Sequence, residues 1–208
     1  MKKFVAEEIA GTLNADFQIG ALEKDWPRIA PIVPPPQGAD KGRPGRDSVA
    51  SKTMGGPPVD ANAANTDAWR RADIGAANGH GNARSLARVL SMITLGGQVD
   101  GKYLLSPQTI DEIFQEQING VDLVVQVPVR FGMGFGLPGK NTILDWLPHG
   151  RICTWGGWGG SIAIMDCDRR LTISYAMNKM DNVGLGSERA KAYVNAVYTA
   201  LGVPLGSP

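Results

Sequence analysis

Apolar residues recur with two distinct periods along this chain. Through Ser161-Ile162-Ala163-Ile164-Met165 they alternate with small or polar residues, a charged turn follows at Asp166-Cys167-Asp168-Arg169, and the alternation resumes from Leu171 to Met177. That period of two predicts an antiparallel hairpin. A helical period governs other stretches. Ala190, Tyr193, Val194, Val197, Tyr198 and Leu201 share one side of an amphipathic closing helix over 187–201. Leu86, Val89, Leu90 and Ile93 predict a helix over 85–95, which Gly96-Gly97 ends. Ser106-Pro107 places a capping serine and a first-turn proline ahead of Ile110, Ile113 and Phe114, with Ile118 continuing the apolar face. Phe4, Val5, Ile9 and Leu13 predict a short helix over 3–13, and 15–19 reads as a brief extended segment.

Two stretches break these periods. From Trp26 to Asn65 prolines crowd the chain, and the basic cluster Lys41, Arg43 and Arg46 lies among them. So many prolines exclude regular helix or central strand, so a long surface excursion is predicted, either functional or a solvated linker. The basic cluster reads as a solvated face. Residues 122–136 are β-rich, with Pro128 at an edge or bend and Gly132, Gly134 and Gly136 at close backbone contacts. A phosphate-binding reading of Phe131 to Gly136 fails because a loop, not a helix, follows.

With 208 residues, 21 basic against 20 acidic, the chain supports one core and offers nothing to favour nucleic acid or an anionic membrane as partner. No apolar run reaches membrane-spanning length, and the acidic pair Glu7-Glu8 excludes a signal-peptide core, so a cytoplasmic location is the default. Cys153 and Cys167 are read as structural or inert thiols. His80 and His149 are the only histidines, and no cluster has metal-ligand spacing, so neither a metal nor a cofactor is expected. Asp145, Asp166 and Asp168 are turn residues by context.

The densest signal is at Thr154-Trp155-Gly156-Gly157-Trp158-Gly159-Gly160. Glycines packed this closely at the start of a strand let another backbone or a ligand approach and leave N–H groups uncovered. Read alone, they are equally a glycine bulge at a sheet edge, with Trp155 and Trp158 as core aromatics.

Together with the hairpin, Met177-Asn178-Lys179-Met180 and the closing helix, this stretch resembles the C-terminal end of the serine β-lactamase and penicillin-binding fold. It is most similar to the family VIII carboxylesterases, where a Trp-Gly-Gly triplet, here Trp155-Gly156-Gly157, takes the place of Lys-Thr-Gly. Residues 69–88 and 97–107 resemble two further family segments. The resemblance implies an α+β fold, an antiparallel sheet with packed helices, forming the C-terminal part of a β-lactamase/transpeptidase-like domain. The chain 1–208 then reads as a single partial domain, with 26–65 as its loop and 151–201 as a strand-turn-strand-helix core.

The departures from the family shape the functional reading. None of the serines has a lysine three residues on, the nearest being Ser85-Leu86-Ala87-Arg88. Tyr193-Val194-Asn195 matches the family's Tyr-x-Asn motif but falls in the closing helix, as a chance match. The resemblance therefore implies a catalytically incomplete C-terminal portion of a serine hydrolase, a carboxylesterase acting on small acyl esters, with no catalytic residue of its own. Trp155, Gly156, Gly157 and Trp158 would supply pocket wall and oxyanion strand, and His80 and Asn178 would line the pocket. Its partners would be a small acyl ester, once an N-terminal half is present, and a second copy joined through an uncovered sheet edge. The other reading is a non-catalytic binding or interaction module that kept the fold.

Overall fold

The computed structural model describes residues 1–36, 47–56 and 60–206. The chain opens with α1 (Lys2–Phe4), which widens into a π-helical turn over Val5–Ala10, so the predicted helix splits into two pieces. Val5 and Leu13 are buried as the periodicity required, whereas Phe4 is 57% exposed. β1 (Phe17–Ile19) pairs antiparallel with β2 (Gly79–Gly81).

The proline-rich excursion is less irregular than its composition implies. It holds two short 3-10 turns, Glu23–Arg28 and Ala61–Asn65, and between them α2 (Val49–Met54). The expectation of no regular helix there is corrected: the interval between Pro44 and Pro57 lacks proline, and the Ser48 side chain caps α2 by accepting from Ser51 N–H. Val33 makes a parallel bridge to Lys179, so one limb of the excursion is tied to the segment leaving the main sheet. Lys41, Arg43 and Arg46 lie outside the described residues.

α3 (Asp67–Arg71) precedes β2, and α4 (Ala83–Thr94) follows it, capped by Asn82, whose Oδ1 accepts from Ser85 N–H at 2.9 Å. Gly97 adopts φ +97° at the helix end, as the closing glycines predicted. A small hairpin of β3 (Gln98–Val99) and β4 (Lys102–Tyr103) leads to α5 (Pro107–Ile113), where Ser106 accepts from Thr109 N–H at 3.1 Å. Ile118 does not extend that helix. It opens β5 (Ile118–Val121), antiparallel to β6 (Pro128–Phe131), because the α5 helix stops at Ile113.

The main sheet is β7 (Ile152–Gly156), β8 (Ile162–Asp166) and β9 (Leu171–Tyr175), all antiparallel, with α6 (Glu188–Ala200) closing the chain. A single residue stitches the β5–β6 pair to it: Gly136 bridges Phe131 on one side and Thr154 on the other, exchanging two 2.9 Å hydrogen bonds with Thr154. A Cβ at Gly136 would come within 2.9 Å of Leu144, so glycine is the residue that fits the junction. Among the described residues, β9 has β8 as its one ladder partner.

Side chains alternate across this sheet and separate two cores. Ile152, Ile162 and Ile164 pack with Ala190, Val194 and Tyr198 of α6. Cys153 and Met165 face the other way, onto Ile93 of α4 and Ile110 and Ile113 of α5. Within α6 the stripe is narrower than its sequence suggested, since Tyr193 is 62% exposed and stacks on Tyr175 at 5.6 Å. No helix among the described residues is long and apolar enough to cross a membrane.

Candidate functional site

Where β7 ends, the chain makes a tight turn before β8 begins. Gly160 N–H donates to Gly157 O at 3.1 Å, closing a four-residue turn with Trp158 and Gly159 at its centre. Gly159 has φ +109°, the left-handed value a type II-like turn requires at its third position. Gly157 N–H reaches Ser161 O, and Gly159 N–H reaches Val183 O. The main-chain N–H of Trp158, at the second position of the turn, meets no acceptor among the described residues.

The glycines here answer to different constraints. At Gly159 a Cβ would lie 2.5 Å from Met177 Cε, and at Gly160 2.7 Å from Ser187 Cβ, so both stand in close backbone approach. At Gly157 nothing lies within 4 Å of the added atom, which leaves open space on that side of the turn. Trp155 and Trp158 are 45% and 42% exposed, so the ridge lies at the surface and not in a core. The Trp155 ring touches Phe131, with centroids 5.4 Å apart, and Trp158 Nε1–H donates to Asn182 Oδ1 at 3.2 Å.

Beside this ridge is a cleft of about 470 Å³ whose lining includes His80, Asn178, Met177, Arg28 and Asp25. Met177 belongs to both places, since it packs against Gly159 and lines the cleft. The structure thus brings His80 and Asn178 to one cavity and sets the Trp155–Trp158 ridge next to it, outside its lining.

His80 sits on β2 opposite Gln18 of β1. Its Nδ1 lies 2.8 Å from Asn78 O; in the tautomer that donates there, Nε2 keeps a lone pair. Burial lowers its pKa below the ordinary histidine value; the carbonyl contact opposes this, and the charges of Arg70 and Lys2 add to the lowering. On the same side, Arg28 pairs with Asp16 and with Asp25, the latter at 3.0 Å. The Asp25 carboxyl is held below its usual range, chiefly by the Gln18 amide and next by Arg28. Asn178 reaches Pro31 O with its amide at 3.2 Å, so its side chain ties the strand exit to the excursion.

Sequence reasoning missed the residue that organises this wall. Asn78 is buried, and its amide donates to Trp69 O and Ala72 O while its Oδ1 accepts from Ile74 N–H and Gly20 N–H. An asparagine in the Ala76-Ala77-Asn78-Gly79 run reads locally as a turn residue, which is why its reach across the chain was hidden. Asp166, read as a turn residue, is a second correction: it is the last residue of β8, fully buried and held by Arg169 and Tyr198. Cys153 and Cys167 are free, and burial raises the pKa of both thiols. Tyr193 and Asn195 are two residues apart on α6, so they point to different sides of the helix.

A family model described as Beta-lactamase matches residues 4–198. An esterase/beta-lactamase, LipL, from Mycobacterium tuberculosis (strain ATCC 25618 / H37Rv) is 31% identical over 111 residues, which is 52% of this chain and 24% of that protein. Among solved structures, a family VIII carboxylesterase superposes with a TM-score of 0.82 at 31% identity, over 95% of this chain and 51% of its own. A penicillin-binding protein homolog from Caulobacter crescentus gives 0.80 at 30% identity, over 96% of this chain and 52% of its own. EstA from Arthrobacter nitroguajacolicus Rue61a, at 21% identity and a TM-score of 0.74, adds support for the fold alone. The chain spans about half the length of these solved structures.

Proposed function

The chain belongs to the Beta-lactamase family, and from that membership we propose that it is part of a serine hydrolase acting on small neutral acyl esters. In this reading Trp158 N–H is one donor of the oxyanion hole and Trp155 forms a wall of the acyl pocket. The attacking serine, with its lysine and tyrosine, comes from outside these 208 residues, since no serine here has a lysine three positions on. The supporting observation is the Trp158 N–H, fixed in a glycine-built turn and without an acceptor among the described residues.

The chemistry follows from that donor. A serine Oγ adds to the acyl carbonyl carbon while its proton passes to the lysine and tyrosine pair. The carbonyl π electrons move onto oxygen, and the Trp158 N–H, with a second N–H from the nucleophile, stabilises the charge as it forms. Collapse of the adduct expels the alcohol, which takes up the proton, and water then releases the acyl group. A lysine at position 155 would add a cation for a substrate carboxylate, whereas the Trp155 indole offers one neutral N–H and an apolar face. Neutral esters are therefore favoured over anionic β-lactams.

A proline at 158 tests this directly, because proline suits the second position of a type II turn but has no N–H. The chain is mixed with a fragment of a relative that carries Ser-x-x-Lys and Tyr-x-Asn, and short-chain nitrophenyl ester and penicillin hydrolysis are followed. We expect ester hydrolysis in the mixture, faster than penicillin hydrolysis, and a loss of about 100-fold or more on Trp158→Pro. A stable mixed complex without activity would favour the alternative, a binding module, which the lack of a Ser-x-x-Lys motif also fits.

A further inference from the structure

Trp158 carries the free N–H of the glycine turn, yet among the described residues it makes a single hydrogen bond, and that through its side chain. Its neighbours Gly157, Gly159 and Gly160 are each fixed by their main-chain N–H groups, whereas Trp158 Nε1–H donates to Asn182 Oδ1 at 3.2 Å. Glycine on both sides lets the peptide that carries the Trp158 N–H pivot more widely than flanking side chains would allow. The direction of that N–H therefore depends on what holds the indole.

Asn182 belongs to a rail that runs along the turn. Gly159 N–H reaches Val183 O and Asp181 N–H reaches Gly159 O, both at 3.0 Å, so the residues on either side of Asn182 bracket the turn. The same segment is bridged in parallel to the excursion limb, where Val33 N–H donates to Asn178 O at 2.7 Å and Met180 N–H donates to Val33 O at 2.9 Å. Asn182 Nδ2 extends this row by donating to Pro36 O at 3.3 Å. The indole N–H can only donate and the Pro36 carbonyl can only accept. A primary amide offers one acceptor and one donor from a single planar group, so asparagine suits both neighbours, where a carboxylate would turn a second acceptor toward the carbonyl.

We propose that Asn182 is a positioning residue for the oxyanion donor: it ties the Trp158 indole to the excursion limb at Pro36 and thereby sets the direction of the Trp158 main-chain N–H. This rests on the function proposed above. Asn182 touches no reacting atom, and its effect passes through the indole.

The test uses the mixture of this chain with a fragment carrying Ser-x-x-Lys and Tyr-x-Asn, together with 15N NMR of the chain alone. Asn182 is exposed, so Asn182→Ala should leave the fold intact. It should lower kcat for a short-chain nitrophenyl ester about tenfold and leave KM within about twofold, because the donor acts on charge that forms in the transition state. Trp158→Phe removes the same tether and should lower kcat to a similar degree, and adding Asn182→Ala to it should change kcat by less than about twofold. In the chain alone, Asn182→Ala should lower the heteronuclear NOE of the Trp158 amide and leave that of Gly160 unchanged. An unchanged kcat, a Trp158 amide as rigid as in the unmodified chain, or an equal further loss on the Trp158→Phe background would each overturn the positioning role. Each would leave the hydrolase reading intact where the unmodified mixture hydrolyses the ester and Trp158→Pro stops it. An unmodified mixture without ester hydrolysis would overturn both.

Discussion

The phenol of Tyr198 donates a 3.1 Å hydrogen bond to Asp166 Oδ2, and neither side chain reaches solvent. Through it the last turns of α6 are fastened to the end of β8, while the Arg169 guanidinium donates to the same Oδ2 at 2.9 Å and the Arg169 main-chain N–H to Oδ1 at 3.1 Å. A buried carboxylate needs these donors, because an unmet charge in a core is costly. Tyr198→Phe keeps the ring and removes one donor to a charged acceptor. It should lower unfolding stability by about 2 kcal/mol, read by urea denaturation.

The same phenol sets an alkaline limit. Burial first, then the Asp166 charge and its hydrogen bond, raise the folded pKa of Tyr198 above its ordinary value of 10.0. The unfolded chain releases this proton at about pH 10 while the folded chain keeps it, so the folded state binds more protons and stability falls as pH rises past about 10. The difference in stability between the wild-type chain and Tyr198→Phe should therefore shrink above about pH 10. A difference that stays constant up to pH 11 would contradict this.

Gly157 and Gly160 share one turn but tolerate different changes. Gly160 has φ +104°, and an added Cβ would lie 2.7 Å from Ser187 Cβ and 3.2 Å from Ser187 N. Gly160→Ala should cost about 2 kcal/mol or more, lowering Tm by roughly 4–8 °C in a domain of this size. Gly157→Ala meets nothing within 4 Å and should shift Tm by no more than about 2 °C. Equal shifts for the two variants would mean that the turn is not held as described.

Asn78 governs the His80 wall of the cleft. Asn78→Ala leaves the Ala72 carbonyl and the Ile74 N–H without the Asn78 side chain, while Gly20 N–H keeps Asn78 O and Trp69 O keeps Ala72 N–H; it should cost about 2 kcal/mol and speed hydrogen exchange at Ile74. His80, whose pKa burial lowers, should titrate by NMR below its ordinary value of 6.5. The unfolded chain then takes up that proton first, so the stability His80 contributes is present above about pH 6.5 and is lost as pH falls through the folded pKa. In Asn78→Ala the titration should move back toward the ordinary value.

The periodic parts of this fold were legible because each periodic element buries one face. The β8–β9 hairpin, the Ser106 cap of α5, α4 with its closing glycines and the Ala190-Val194-Tyr198 stripe of α6 lie where period and capping placed them, within a residue or two. What the sequence hid depends on partners far along the chain. Ile118 matched helical spacing with Ile110, Ile113 and Phe114, yet its strand partner Phe131 decides its fate. Gly136 looked like one glycine of three, and its role comes from Thr154 and Trp155, which lie well downstream. Asp166 read as a turn carboxylate because its partner Tyr198 is a helix away. At the site, the glycine run announced an open backbone. That Met177 joins the ridge to the His80 and Asn178 cleft required the folded strand exit.

The central claim is that this polypeptide offers an N–H to a developing oxyanion but holds no serine able to attack. Intact-mass spectrometry after incubation with an excess of a fluorophosphonate reads that claim most directly. The account predicts an unmodified mass for the chain alone. A stoichiometric adduct on any one of its serines would contradict it.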